Sequence, residues 1–379
     1  MIFSQPSTLL PLGLALLGAF SLPPALTTPT AAAAQQIVAQ GGDVDPLPIG
    51  AQPAFALSNG SPTAVSPPAI AAAVTDTMPG TVLQTVAAIY RFTVGDAKVT
   101  ALSDGSVPLD LHQLLRGAPA QTIDDLLDRS FLANPAEASI NAFLIDLDGR
   151  RILVDVGAGD FFGPGYGGRL LDALAAAGAA PETISDILIT HVHTDHSGGL
   201  TKAGKIVFPR ATVYAGGADI RFFSDATNAA KTGIDKRFWT EAEQTLTPYG
   251  KAGRLKPIDA EGEILPGIRA DLHPGHTPGT AFYTLHSKGQ SIVFVGDVIH
   301  AGPVQFPRPD ITITFDILQD EARAVREAAF GRFARDRSLI AAPHLSFPGV
   351  GHIAAEGTGY RWYPIEQTDR EPMGERLKL

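Results

Sequence analysis

The alternation of apolar and polar residues becomes regular near Tyr90, where short strand-like runs begin. Alternation with a period of two is typical of strands that bury one face. Asp148-Gly149 separates two such runs and is typical of a tight hairpin turn. We therefore predict β-strands at Tyr90–Asp96, Lys98–Leu102, Asn141–Leu147 and Arg151–Asp155.

Helical spacing marks two longer segments. The first runs from Gly168 to Gly178, and its apolar face is expected to contain Leu170, Leu171 and Leu174. The second runs from Gln319 to Asp336, with apolar positions at Val325, Ala329 and Phe333. Strand groups interrupted by helices favour one layered α/β domain, which we assign to residues 87–379.

The chain before this domain has a different pattern. An apolar run from Leu9 to Phe20 is too short to span a bilayer but is typical of a secretory signal, and Ala31–Ala34 suits a cleavage site. We predict a signal peptide at residues 1–34, although no Lys or Arg precedes the apolar run. Residues 35–86 are rich in Ala, Pro, Ser and Thr, which indicates a flexible tether. A periplasmic or secreted location is expected.

A polar cluster follows the short apolar run Ile187–Thr190. His191, His193, Asp195 and His196 fall together, and solvation alone explains such packing of imidazoles and a carboxylate poorly. In a tightly turning loop, His191 and His193 project to one side while Asp195 and His196 turn to the other. The loop therefore offers two pairs of ligands, enough to begin two metal sites.

Three more polar residues follow strand-like runs in the same way: His276, Asp297 and His344. Ligands at the ends of neighbouring strands converge when the strands share a sheet. Seven residues exceed one tetrahedral site but divide between two metals if one carboxylate bridges them. We expect two divalent metal ions, with zinc as the leading choice and manganese, cobalt or iron also suited to nitrogen and oxygen ligands.

These motifs resemble the metal-binding signature of the metallo-β-lactamase superfamily, and within it the methyl parathion hydrolase group. The resemblance lies in His191-x-His193-x-Asp195-His196, in Gly275-His-Thr-Pro-Gly and in Gly296-Asp-Val-Ile, and it extends over roughly residues 87–375. It implies an α/β fold of the αββα sandwich type. In that fold two mixed β-sheets pack face to face, with helices outside.

The resemblance also divides the seven residues into two sets joined by one carboxylate. The first ligand set consists of His191, His193 and His276. The second ligand set consists of Asp195, His196 and His344. Asp297 would bridge the two metals. His352 is an alternative for the last ligand, but His344 directly follows the apolar run and is preferred.

Metal-binding imidazoles need a partner for their second ring nitrogen. Asp155 is either such an orienting carboxylate or a turn-forming residue before Gly157, and the sequence leaves both open. Thr190 and Thr277 could orient ligands through their hydroxyl groups.

Substrate contacts are less directly encoded. Phe162, Phe223 and Trp239 belong to aromatic pairs that would ordinarily be core residues, but the resemblance places them at a substrate pocket. His300 stands three residues after Asp297, where the methyl parathion hydrolase pattern has an apolar residue. Its imidazole could orient a lactone carbonyl or protonate a departing alkoxide; the alternative is a surface histidine.

The expected chemistry is hydrolysis. A water shared between two divalent metals loses a proton near neutral pH, and the resulting bridging hydroxide can attack a carbonyl carbon or phosphorus. We predict a binuclear hydrolase of lactones or aryl esters that also cleaves organophosphate triesters, with Asp195, Asp297 and His300 as catalytic residues. The alternatives are a dedicated organophosphate triester hydrolase and an iron-dependent redox enzyme of the same fold.

The amino-acid composition limits the classes of molecule that the protein is expected to bind. A formal net charge of −10 disfavours nucleic acid, and the absence of Cys excludes disulfides and thiolate ligands. We expect a small-molecule substrate and no stable membrane insertion after signal cleavage. Exposed aromatic segments could instead form a homodimer interface.

Overall fold

A computed structural model describes residues 88–232 and 234–367. The predicted signal peptide and tether lie outside these described residues. In the described part of the chain, no helix is long and apolar enough to cross a membrane.

The strands, numbered in chain order, have the following bounds. They are β1 (Ile89–Val94), β2 (Ala97–Leu109), β3 (Leu115–Arg116), β4 (Ala136–Leu147), β5 (Arg150–Val154), β6 (Asp186–Leu188), β7 (Thr201–Lys202), β8 (Lys205–Ile206), β9 (Thr212–Gly216), β10 (Leu255–Ile258), β11 (Gly262–Leu265), β12 (Ile268–Leu272), β13 (Ala281–Ser287), β14 (Gln290–Phe294), β15 (Thr312–Ile313), β16 (Ile340–Ala341), β17 (Val350–Glu356) and β18 (Gly359–Pro364).

The described helices are numbered in the same way. They are α1 (Leu111–Leu114), α2 (Ala120–Asp128), α3 (Leu170–Ala176), α4 (Thr194–Ser197), α5 (Gly217–Ser224), α6 (Thr227–Thr232), α7 (Arg237–Lys251), α8 (Gly302–Gln305) and α9 (Gln319–Asp336). Short 3-10 turns cover Pro181–Thr183, Gly198–Leu200 and Gly296–Val298.

Two mixed seven-stranded sheets form the domain. The first sheet has the order β1-β2-β4-β5-β6-β9-β10 and the second has the order β11-β12-β13-β14-β16-β17-β18. Parallel pairing occurs at β5-β6-β9-β10 in the first sheet and at β14-β16 in the second. The remaining pairs within the two sheets are antiparallel.

Strand β4 shows how the layers are built, because both of its faces are buried. Phe143 and Ile145 point into the core between the two sheets, and Ala142 and Leu144 point into a core covered by α3, α5 and α7. Helix α9 covers the outer face of the second sheet through Ala329, Phe330 and Phe333. The αββα arrangement predicted from the sequence is therefore confirmed.

Two kinds of local prediction need correction. Strands β2 and β4 extend to Leu109 and Ala136, beyond the predicted Leu102 and Asn141, because their pairing continues past a bulge between Ser103 and Gly105. Asp148 and Gly149 have φ angles of 49° and 76° and form the predicted hairpin turn between β4 and β5. Helix α9 has the predicted bounds. In α3, however, Leu171 is 37% exposed and Ala173 takes its place beside Leu170 and Leu174, since residues three and four positions apart share a helix face.

Candidate metal centre

The seven predicted ligands all lie on loops or short turns that follow strands. His191 and His193 follow β6, and the single turn of α4 then carries Asp195 and His196. His276 follows β12, Asp297 lies in the 3-10 turn after β14, and His344 follows β16. Strand ends from both sheets therefore deliver residues distant in sequence to one place.

The first ligand set converges on one point. His193 Nδ1 lies 3.0 Å from both His191 Nε2 and His276 Nε2. Asp297 Oδ2 lies 3.5 Å from His191 Nε2 and 3.3 Å from His276 Nε2. All four side chains are buried, so these atoms face one another away from solvent.

The second ligand set converges beside it. Asp297 Oδ1 lies 3.2 Å from His196 Nε2 and 3.1 Å from His344 Nε2. The Asp195 carboxylate lies 3.7 Å from His196 Nε2 and 3.5 Å from His344 Nε2. Asp297 Oδ2 also lies 3.1 Å from His344 Nε2, so the Asp297 carboxylate contacts imidazoles of both ligand sets and stands between them, where it could bridge two cations.

The donor geometry fits two divalent cations. His196 Nε2 and Asp297 Oδ1 are buried and have no hydrogen-bond partner among the described residues. Ligand atoms that surround zinc at about 2.0–2.2 Å lie about 3.3 Å apart, close to the separations observed here. Two close-set groups of nitrogen and oxygen donors with unpartnered atoms therefore fit the ligand sets of two cations better than a purely hydrogen-bonded network.

The outward-facing ring nitrogens are held by hydrogen bonds. His196 Nδ1 lies 2.8 Å from Asp155 Oδ2, and His276 Nδ1 lies 2.7 Å from Asp316 Oδ1. His344 Nδ1 lies 2.8 Å from the Ser139 carbonyl oxygen. A proton on these nitrogens leaves the opposite nitrogen unprotonated and aimed at the cluster.

Asp155 combines both roles that its sequence left open. Besides contacting His196, its carboxylate accepts hydrogen bonds from Thr190 N and Thr190 Oγ1, both at 2.8 Å. Its φ of 57° also makes it a turn residue at the end of β5. The hydroxyl of Thr277 donates to Asp219 and not to a ligand ring.

Burial and charge act against each other at the bridging residue. Burial alone would raise the pKa of Asp297, but the surrounding imidazoles of His196 and His344 hold that pKa well below its ordinary value. Burial lowers the pKa of His191 and of His193 well below the ordinary value. The cluster therefore presents an ionised Asp297 beside two imidazoles, His191 and His193, that favour the neutral form needed for metal binding. Neighbouring carboxylates overcome burial at the other three ligand imidazoles and raise the pKa of His196, of His344 and, to about 9, of His276.

His300 lies within the cluster. Its Nε2 is 3.0 Å from Asp297 Oδ2, and its ring stacks against His344 with centroids 5.1 Å apart. Gln305 Oε1 accepts the backbone N–H of His300 at 2.8 Å and thereby holds the turn before α8. The residue is 5% exposed, so it is not a surface histidine.

The predicted pocket aromatics occupy different environments. Phe162 is half-buried, whereas Phe223 and Trp239 are each 2% exposed and belong to the core beneath the helices. The Phe223 ring also lies edge-on to His193, with centroids 5.8 Å apart. Trp239 Nε1 donates to the Phe222 carbonyl at 3.0 Å. Phe238, which the sequence did not single out, is the half-buried ring beside His193, with centroids 5.4 Å apart.

Several supporting residues carry no sequence signal. Asp316 joins His276 to the fully buried Arg326, whose Nε also donates to the Val298 carbonyl beside Asp297. Each is an isolated charged residue in an unremarkable segment, so only the tertiary contacts reveal it. His352, the alternative ligand, is exposed on β17, with its Nδ1 3.0 Å from the Ser338 carbonyl.

The family follows from comparison with known sequences. A profile of the metallo-β-lactamase superfamily matches residues 136–344, more than half of the chain. The chain therefore belongs to the metallo-β-lactamase superfamily.

Two solved structures and one sequence relative are similar to this chain. Hydrolase AbOPH of the β-lactamase superfamily is 37% identical, with a TM-score of 0.71 over 76% of this chain and 100% of that chain. AidC, a dizinc quorum-quenching lactonase solved with a product, is 25% identical, with a TM-score of 0.68 over 75% of this chain and 99% of that chain. Ribonuclease TTHA0252 of Thermus thermophilus is 28% identical over 49% of this chain, and the match spans only 41% of that protein.

Proposed function

We propose that this metallo-β-lactamase-superfamily hydrolase uses two divalent metal ions, zinc foremost, to cleave lactones or aryl esters, with methyl parathion-type phosphotriesters as a second substrate class. The observation that supports this most strongly is the position of Asp297. Its carboxylate lies within 3.5 Å of imidazoles from both ligand sets, and its Oδ1 has no hydrogen-bond partner among the described residues. Two cations held there would activate water and polarise the substrate oxygen.

The protein's own residues would orient and protonate the substrate. His300 Nε2 lies on the Oδ2 side of Asp297, close enough for its imidazole to donate to a carbonyl or departing alkoxide oxygen beside the first ligand set. Gln305 holds the backbone of that histidine in place. Asp195 would hold its cation from the more open side, since its side chain is 18% exposed.

The substrate class rests on three supports. AidC is described as a dizinc lactonase, and the chain covers nearly all of that structure at 25% identity. The motifs resemble the methyl parathion hydrolase group, but His300 replaces the apolar residue of that pattern. A polar imidazole there favours a lactone carbonyl over a bulky dimethyl phosphotriester.

The test compares kcat/KM for an aryl lactone and a dimethyl aryl phosphotriester, using zinc-reconstituted protein without residues 1–34. We expect the lactone to be preferred about a hundredfold, equivalent to about 2.7 kcal/mol in transition-state stabilisation. The opposite preference would establish a dedicated phosphotriester hydrolase. Iron retained through purification, with neither substrate cleaved after zinc exchange, would favour the redox alternative.

A further inference from the structure

Asp219 lies on α5 and contributes no ligand atom, yet it contacts both loops of the first ligand set. Its side chain is fully buried. Its carboxylate accepts hydrogen bonds from Val192 N at 2.9 Å, Thr277 Oγ1 at 2.7 Å and Gly279 N at 2.5 Å.

These three donors flank the ligands of the first set. Val192 stands between His191 and His193, and Thr277 directly follows His276. One carboxylate therefore joins two loops that approach from different sheets. Any shift of Asp219 would change the separation between His193 and His276, which now place two nitrogens 3.0 Å apart.

The packing around Asp219 leaves little room for adjustment. A Cβ atom on Gly279 would lie 2.5 Å from Asp219 N and 2.8 Å from Asp219 Cβ, and one on Gly216 would clash with the Gly279 carbonyl. Glycine at both positions lets the start of α5 approach the loop after His276 closely. The contact is therefore short and specific in direction.

The buried charge of Asp219 destabilises the fold when only its protein contacts are considered. All three donors are uncharged, and burial raises the pKa of Asp219 to about 6. A buried carboxylate bonded only to neutral groups carries a desolvation cost that a nearby cation would offset. Carboxylates just outside a metal's ligands commonly serve this purpose.

We infer that Asp219 is a positioning residue for the first ligand set, and that it controls cation affinity there in preference to the second set. The inference rests on the proposed two-metal site. It assigns Asp219 no contact with substrate and no proton transfer.

Asp104 provides a matched control. It is also fully buried, and its carboxylate accepts backbone N–H groups of Ala158, Gly168 and Leu170 at 2.8–2.9 Å. None of these donors adjoins a predicted ligand. Asp104→Asn therefore removes a similar buried charge without altering the loops of the first set.

The experiment measures zinc binding by chelator competition in wild type, Asp219→Asn and Asp104→Asn, with cadmium NMR to tell the three-imidazole site from the carboxylate-rich one. We expect Asp219→Asn to raise the dissociation constant of the first site by about 10- to 100-fold and to shift its cadmium signal. The second site and both sites of Asp104→Asn should change by less than about threefold. Should Asp219→Asn fail to fold, Thr277→Val replaces it, since this variant removes one of the three hydrogen bonds. It must raise the dissociation constant of the first site by a smaller factor and leave that of the second site unchanged.

Equal weakening of both sites, or unchanged affinity in folded Asp219→Asn, would overturn the inference. A wild type that binds fewer than two metals would instead contradict the proposed function. The two failures are therefore distinguishable in one titration series.

Discussion

The two ligand sets share Asp297 but differ in burial and charge. His191, His193 and His276 are 0–6% exposed, and the first set has no carboxylate of its own. The second set includes Asp195, whose side chain is 18% exposed. The first set is the more buried of the two, while the second is more open and has one more carboxylate.

The pKa shifts follow this difference except at His276. Burial lowers the pKa of His191 and His193, whereas at His196 and His344 the neighbouring carboxylates overcome burial and raise the pKa. At His276 of the first set, Asp297 and Asp316 likewise overcome burial and raise the pKa to about 9. The second set therefore attracts a cation through a carboxylate of its own, Asp195, whereas the first set depends on the placement of its three imidazoles and on the shared Asp297. Loss of a supporting residue should accordingly harm the set it supports.

Removal of the carboxylate that the two ligand sets share should affect both sets equally. In Asp297→Ala both sets lose a ligand, so we expect loss of both metals and a fall in kcat/KM of at least about a thousandfold. Metal analysis and initial rates check this, with Asp125→Ala on the exposed face of α2 as control. Full activity in a metal-depleted Asp297→Ala protein would contradict the mechanism.

Substitution of the carboxylates that orient the ligand histidines should affect the two ligand sets separately. Asp316→Asn weakens the partner of His276, and Asp155→Asn weakens that of His196. Each should raise the dissociation constant of its own site by about 10- to 100-fold, measured by chelator competition. Asp155 also bonds Thr190 beside His191, so its effect should extend partly to the first set. Identical profiles for both variants would refute the comparison.

His300 should influence substrate choice more than metal content. His300→Leu removes the imidazole 3.0 Å from Asp297 Oδ2, and we expect the triester-to-lactone ratio of kcat/KM to rise about tenfold, or about 1.4 kcal/mol. His352→Leu on exposed β17 is the matched control. An unchanged triester-to-lactone ratio would show that His300 takes no part in substrate recognition.

The smallest effect on catalysis is expected at the aromatic wall beside the first set. Phe238→Ala should raise KM by a few-fold, because a half-buried ring near His193 is lost, and should cost about 1 kcal/mol of unfolding free energy. Trp239→Ala should instead cost about 3–5 kcal/mol, because a core indole is lost. Denaturant titration and steady-state kinetics distinguish the two variants. A larger effect of Trp239→Ala on KM, with the larger loss of stability in Phe238→Ala, would show that Trp239 lines the substrate pocket.

Sequence patterns predicted local elements well where neighbours along the chain determine them. The hairpin at Asp148-Gly149 and the bounds of α9 follow from turn chemistry and helical spacing. The misplaced Leu171 shows the limit, because it lies just outside the buried stripe of Leu170, Ala173 and Leu174, and apolar character alone does not mark the edge of that stripe. Phe238 and Trp239 show it again, since an aromatic pair does not reveal which ring faces the site.

The sequence by itself determined the donor types of the candidate site. His191, His193, Asp195 and His196 occupy one short segment, and their spacing is itself a chemical signal. Tertiary contacts place the Asp297 carboxylate between the two sets and select the residues that support the ligands. Asp219 and Asp316 act across long stretches of chain, where a single carboxylate has no local pattern. Their partners are selected by packing between sheets, loops and helices, which residue spacing does not encode.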